Sequence, residues 1–216
     1  MKFLIPISST SKVSVYVIWL FHVCGMIGIS YGNKDLFLSF TPVNLIISFF
    51  LLFVNQIQVT QRELLSVFTI FLIGMICEIL GVNYGYIFGD YVYLDNLGTK
   101  VFGVPILIGI NWIILTFITG SISSYIFKKN LKFSILTGAI FMILLDLIIE
   151  PVAPLLGFWI FDLPSVPLQN YVGWFLIGLA TQFVYQKFVV NKEIPFSTNL
   201  LLANIVFFSF LNFQEI

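Results

Sequence analysis

Apolar stretches separated by short polar connectors run the length of the chain. A helix needs about 20 apolar residues to cross a bilayer. Seven stretches approach that length: 13–31, 36–54, 64–82, 104–127, 131–150, 167–188 and 198–213, the last being short. The pattern predicts an all-α polytopic membrane protein of about seven transmembrane helices, forming one integral membrane domain over 1–216. The first stretch is long, with no clean small-residue cleavage site after it, and reads as a retained span.

Charge orients these spans. With the N-terminus cytoplasmic, the inner segments hold Lys2, Lys12, Arg62, Lys128, Lys129, Lys132, Lys187 and Lys192, and the outer ones only Lys34 and Lys100. The positive-inside rule therefore puts the N-terminus in the cytoplasm. Glu63 and Glu193 fall inside, whereas Asp35, Glu78, Asp90, Asp95, Asp146, Glu150, Asp162 and Glu215 fall at outer ends or loops. Six of these eight lie in two regions, 78–95 and 146–162. The rule does not require that clustering, because acidic residues contribute little to topology.

The two regions share a pattern. Glu78 is followed after six residues by Gly85-Tyr86, then Asp90; Glu150 is followed after six residues by Gly157-Phe158, then Asp162. Downstream, Val104-Pro105 leads to Trp112 and Val166-Pro167 leads to Trp174 at the same spacing. Segments 64–127 and 131–188 therefore read as two parallel copies of one helical hairpin. Each rises to the outer face, makes an aromatic loop and re-enters at a proline, which suits a first helical turn. Only the first copy carries the insertion Tyr91–Thr99, which reads as a lid.

Composition narrows the chemistry. Mean hydropathy is +1.04. Charged residues make up only 9% and the net charge is zero, so nothing points to nucleic acid. Cys24 and Cys77 form no CxxC pair, and the single histidine, His22, reads as a packed neutral side chain, so no metal ligand set is expected.

Glu78, Asp146 and Glu150 are the candidate catalytic residues. Asp146 and Glu150 stand four apart, on one helix face. A carboxylate at membrane depth costs about 2.5–3.5 kcal/mol near the centre. Desolvation and a neighbouring carboxylate both disfavour the charged form. A cluster of three is thus expected to keep at least one neutral acid as a proton donor beside an ionised partner. The structural alternative is that Glu78 and Glu150 bond loop backbone at the interface.

Aromatics accompany both regions: Tyr84, Tyr86, Phe88, Tyr91 and Tyr93 in the first, Phe158, Trp159 and Phe161 in the second. An interfacial belt accounts for part of them; a pocket whose π faces tolerate positive charge accounts for the rest. Lys100 is expected to pair with Asp90 or Asp95, and Asp95, Lys100 and Asp162 read as loop-structuring. Asn44, Asn111 and Asn170 read as interhelical glue or ligands.

The stretch from Glu78 through Gly81, Gly85, Phe88-Gly89, Tyr91, Tyr93, Asp95, Gly98, Lys100 and Gly103-Val104-Pro105 to Trp112 resembles the carotenoid-biosynthesis membrane family. That family includes the carotenoid 1′,2′-hydratases and bisanhydrobacterioruberin hydratase. A second block, Asp146, Glu150-Pro151-Val152-Ala153, Gly157, Trp159, Val166-Pro167, Asn170 and Gly173-Trp174, resembles it too. The resemblance covers about residues 40–180. At Asp90 the family pattern has a basic residue, which makes Asp90 a weak catalytic candidate.

The resemblance implies hydration of the terminal double bond of an acyclic (ψ) carotenoid end, giving a tertiary alcohol without a redox cofactor. The substrate would be lycopene- or γ-carotene-like, and the protein would sit in the bacterial cytoplasmic membrane among lipid and other carotenoid-pathway enzymes. Asp146 or Glu78 would supply the proton and Glu150 would orient water. Tyr86, Phe88, Tyr91, Tyr93, Asn111, Trp112, Phe158, Trp159, Asn170 and Trp174 would line the substrate pocket. A carotenoid is about as long as the ~30 Å hydrocarbon core, which would bring its end to an interface. A cyclase or isomerase using the same cation stays open, as does a small transporter. A retinal photoreceptor does not, because 198–213 contains no lysine.

Overall fold

A computed structural model describes residues 4–6, 8–56, 59–128 and 130–214. Lys2 and Lys129, which bear on the orientation, and Glu215 lie outside the described residues. The helices are α1 (Ser9–Tyr31), α2 (Lys34–Leu38), α3 (Thr41–Val54), α4 (Gln61–Tyr84), α5 (Ile106–Phe127), α6 (Leu131–Ile149), α7 (Leu168–Phe188) and α8 (Pro195–Phe213). Four short strands lie in the connections: β1 (Tyr91–Tyr93), β2 (Lys100–Val101), β3 (Val104–Pro105) and β4 (Trp159–Phe161).

Local chemistry sets most boundaries. Ser8 caps α1 by accepting from the Ser11 N–H. Thr60 and Glu63 form a reciprocal capping box at the start of α4. Pro105 and Pro167 precede the first turns of α5 and α7. The expected single span at 36–54 is two helices, α2 and α3. Pro42 lies in the first turn of α3; its ring conflicts with the carbonyl four residues back, which stops the preceding helix.

Six units among the described residues are long and apolar enough to cross a membrane: α1, α2–α3 together, α4, α5, α6 and α8. The chain is thus an all-α integral membrane protein. The seventh long helix, α7, is less apolar, and several of its polar side chains, Asn170, Thr181 and Gln182 among them, are buried in the bundle. Gln182 is fully buried, donating to the Thr119 hydroxyl (2.8 Å) and the Thr116 carbonyl (3.1 Å) of α5. Gly138 of α6 makes room for it, since a Cβ there would come 2.4 Å from Gln182 Oε1. Helix α5 is the most buried of the six units and forms the axis of the bundle.

The connections α4–α5 and α6–α7 meet at one end of the bundle. There β1 pairs antiparallel with β4, placing Tyr91 opposite Phe161 and Tyr93 opposite Trp159. β2 and β3 form a tight hairpin whose two turn residues, Phe102 and Gly103, both have positive φ, the geometry of a type I′ turn. Gly85 ends α4 with φ 67° and Gly157 precedes β4 with φ 69°. A Cβ at Gly85 would meet Asp90 Oδ1 at 2.4 Å, and one at Gly157 would meet Asn96 Nδ2 at 2.6 Å. Asn96 in turn donates to the Leu156 carbonyl (2.6 Å), tying the first connection to the second. Asn96→Ala is expected to loosen this tie, by about 0.5–1.5 kcal/mol for one hydrogen bond; a lowered melting temperature in detergent checks it.

Candidate active site

Three elements deliver the three acids. Glu78 lies in the last two turns of α4, Asp146 in the last turn of α6, and Glu150 caps α6. All three are buried, at 3%, 1% and 4% exposure. Successive side chains of a strand alternate in direction, so Tyr91 and Tyr93 of β1 both turn inward while Val92 turns out. Their hydroxyls both donate to Glu78 Oε2, Tyr93 at 2.7 Å and Tyr91 at closer range. Trp112 of α5 donates its indole N–H to Glu78 Oε1 at 2.9 Å. Both oxygens of Glu78 are thus engaged, by three neutral donors.

The second pair is held differently. Asn170, in the first turn of α7, donates to Asp146 Oδ2 (2.9 Å) and to Glu150 Oε1 (3.1 Å), bridging the two carboxyl groups. Trp159 of β4 donates its indole N–H to Glu150 Oε2 at 3.0 Å. Asp146 Oδ1 is buried with no hydrogen-bond partner, alone among the oxygens of the three acids.

Between these groups lies a cavity of about 20 Å³, lined by Glu78, Tyr91, Tyr93, Glu150 and Asn170 and walled by the rings of Phe88, Trp159, Phe161 and Trp174. Roughly 10–15 Å³ admits a single water, which needs two to four polar partners; the cavity meets both conditions. Asp146 stands behind Glu150 and Asn170 and is not on the wall. Burial, then the nearby charge of Glu78, pushes the Tyr91 and Tyr93 hydroxyls well above the usual tyrosine range. Both remain O–H donors at any physiological pH.

Other expected pocket residues stand elsewhere. Tyr86 is 73% exposed and stacks on Tyr84 with ring centroids 5.4 Å apart. It follows Gly85, which ends α4 in a left-handed conformation. Asn111 and Phe158 line a neighbouring chamber, described below. Trp112 is a donor to Glu78 and stacks on Trp174 at 4.5 Å. The insertion expected as a lid is a wall, because β1 within it carries the two tyrosines that hold Glu78.

Lys100 pairs with Asp95 at 2.9 Å and also donates to the Tyr93 carbonyl at 2.8 Å, fixing β1 from outside. Asp162 donates its backbone N–H to the Asp90 carbonyl (3.0 Å). Both are loop contacts. Among the described residues no group of three or more His, Cys, Asp and Glu is arranged to hold a metal ion. Gly74 faces Trp112, and a Cβ there would lie 2.6 Å from the indole. Gly74→Leu is therefore expected to push Trp112 off Glu78. Overpacking costs about 1–3 kcal/mol, and a shift in tryptophan emission together with a lowered melting temperature would register it.

Fold and site together define an integral membrane protein with a buried, aromatic-walled carboxylate cluster at one end of its bundle. The chain belongs to the carotenoid biosynthesis protein family, whose model matches residues 40–215. It is 28% identical over 132 residues to the bisanhydrobacterioruberin hydratase of Haloarcula japonica, covering 56% of this chain and 43% of that protein. The chain thus spans less than half the length of that relative. No solved structure matches it.

Proposed function

We propose that this protein adds water across the terminal double bond of an acyclic, lycopene- or γ-carotene-like end group, as a cofactor-free hydratase of the bacterial cytoplasmic membrane. The observation that carries the reading is the water-sized cavity between Glu78 and Glu150, polar at its acids and aromatic elsewhere. Membership of a carotenoid biosynthesis family and likeness to a hydratase support it.

Glu150 is the proton donor in this scheme, because it lines the cavity and Asp146 does not. Its proton forms a C–H bond at the less substituted alkene carbon as the π bond breaks, leaving a tertiary cation. The rings of Phe88, Trp159 and Trp174 face that charge. Water held by Glu78 and its tyrosines then forms the C–O bond and passes its proton to Glu78. Return of that proton to Glu150 through the next water closes the cycle. General acid–base contributions of this kind are typically about 10²–10⁴-fold. Asp146, joined to Glu150 through Asn170, positions the acid.

The duplicated-hairpin reading, 64–127 and 131–188, belongs with this proposal. It is supported by the matching left-handed glycines Gly85 and Gly157, by Trp112 stacked on Trp174, and by Glu78 and Glu150 on opposite sides of one cavity. Duplication explains why two equivalent acids converge.

Co-expression in a lycopene-producing bacterium, with mass analysis of the pigments, tests the activity. A product heavier by one water is expected. A pigment isomer of unchanged mass replaces hydration by cyclisation, and unaltered pigment rejects both.

A further inference from the structure

The cavity is too small for a carotenoid end, yet two larger spaces lie in series with it. The outermost is a groove of about 270 Å³ between α1, the α2–α3 segment and Phe207 of α8, lined almost wholly by apolar groups. Leu20 and Phe40 on its walls are 45% and 48% exposed on the apolar surface of the bundle, so it opens sideways toward lipid. Thr41, Asn44 and Phe207 also line the next space, a chamber of about 80 Å³. That chamber runs between His22, Asn111 and Asn204 to Phe158 and Trp159. Trp159 is the residue that this chamber and the carboxylate cavity have in common.

We infer that the α1/α3/α8 groove is a lateral entrance through which a linear polyene reaches the carboxylates from the bilayer, with Trp159 as its gate. The polyene as occupant rests on the hydration reading. Continuity argues for it: the groove leads through shared walls to the acid cluster. A hydrocarbon dissolved in lipid needs a sideways opening rather than a path from water. Trp159 is well placed as a gate because one side chain both separates the chamber from the cavity and holds Glu150 Oε2. Its rotation by an arriving chain end opens the partition and, through the indole bond, turns the Glu150 carboxyl toward that end. Trp159 is in this sense a positioning residue that couples substrate arrival to the acid.

The groove carries its own probe. Cys24 lines it and is exposed, whereas the other cysteine, Cys77, is on α4 away from it. The full-length protein in liposomes would be labelled with a membrane-permeant maleimide, and Cys24 and Cys77 modification followed separately by peptide mass. Lycopene is expected to slow Cys24 labelling about tenfold, as a bound ligand covering the thiol would, and to leave Cys77 unaffected. Unchanged Cys24 labelling overturns the entrance. Equal protection by a saturated hydrocarbon of the same length makes the groove a lipid seat and also overturns it.

Turnover gives the second arm. Cys24→Trp and Gly25→Phe fill the groove; a Cβ at Gly25 already comes 3.1 Å from the Phe207 ring. Both are expected to lower kcat/KM about tenfold with kcat much less affected, the signature of hindered binding. Trp159→Phe keeps the wall but loses the bond to Glu150, and is expected to lower kcat instead. Parental kcat/KM in both groove variants rejects the entrance while hydration stands. Lycopene protection of Cys24 in a protein that never adds water rejects hydration while the entrance stands.

Discussion

Glu150→Gln is expected to abolish water addition, with product falling about 10²–10⁴-fold, the range that a positioned general acid contributes. The amide keeps the size of the side chain and can still accept from the Trp159 indole at one oxygen; its N–H₂ then faces the Asn170 N–H₂, which keeps its bond to Asp146, so insertion and folding should survive at a cost of about 1–3 kcal/mol. It has no acidic proton to deliver to an alkene. Asp146→Asn is expected to do less damage than Glu150→Gln, because Asp146 lies behind the cavity wall and acts through Asn170 and Glu150. Pigment mass analysis, with protein quantified in the membrane fraction, measures both. Parental product from Glu150→Gln removes that residue as the acid. A complete loss confined to Asp146→Asn moves the donor role there.

Glu78→Gln carries the second large effect, on activity and stability together. Glu78 accepts from three donors, Tyr91, Tyr93 and Trp112. An amide offers one acceptor oxygen: if it serves the Trp112 indole, the N–H₂ donates to the tyrosine oxygens and the tyrosine protons lose their acceptor; if it serves the tyrosines, the indole N–H is left unmet. Leaving a buried donor unmet costs about 1–3 kcal/mol, so the melting temperature should fall along with product. The tyrosine hydroxyls, still held upward by burial once the Glu78 charge is gone, cannot relieve the conflict by ionising near neutral pH. Tyr91→Phe with Tyr93→Phe in the Glu78→Gln background should cost less than the separate effects combined, because the groups form one network. Strict additivity in the melting temperatures would sink the network argument, and full turnover by Glu78→Gln would remove Glu78 from the chemistry.

Much of the frame was legible along the chain because its causes are local. Apolar length marked the spans, Pro105 and Pro167 marked re-entry, and the Asp95–Lys100 pair is a five-residue contact within one loop. The three acids stood out because a carboxylate inside an apolar run demands an explanation. Asn96 gave no comparable signal: an asparagine in a polar loop looks ordinary, and its partner, the Leu156 carbonyl, is 60 residues away. Gln182 signalled more, as a polar residue within an apolar helix, although its partners on α5 could not be named.

By itself, then, the sequence determined that this is a helical membrane protein with acids gathered in two related stretches. Tertiary structure decided which side of each helix faces the interior, and so the roles within the site. Tyr91 and Tyr93 face in and Tyr86 faces out; Glu150 lines the cavity and Asp146 stands behind it; Trp159 divides cavity from chamber. The reason lies in the solvent. In water, a helix records its buried face as a stripe of apolar residues. In lipid both faces are largely apolar, so that stripe is lost, and packing and hydrogen bonds between helices select the inner side.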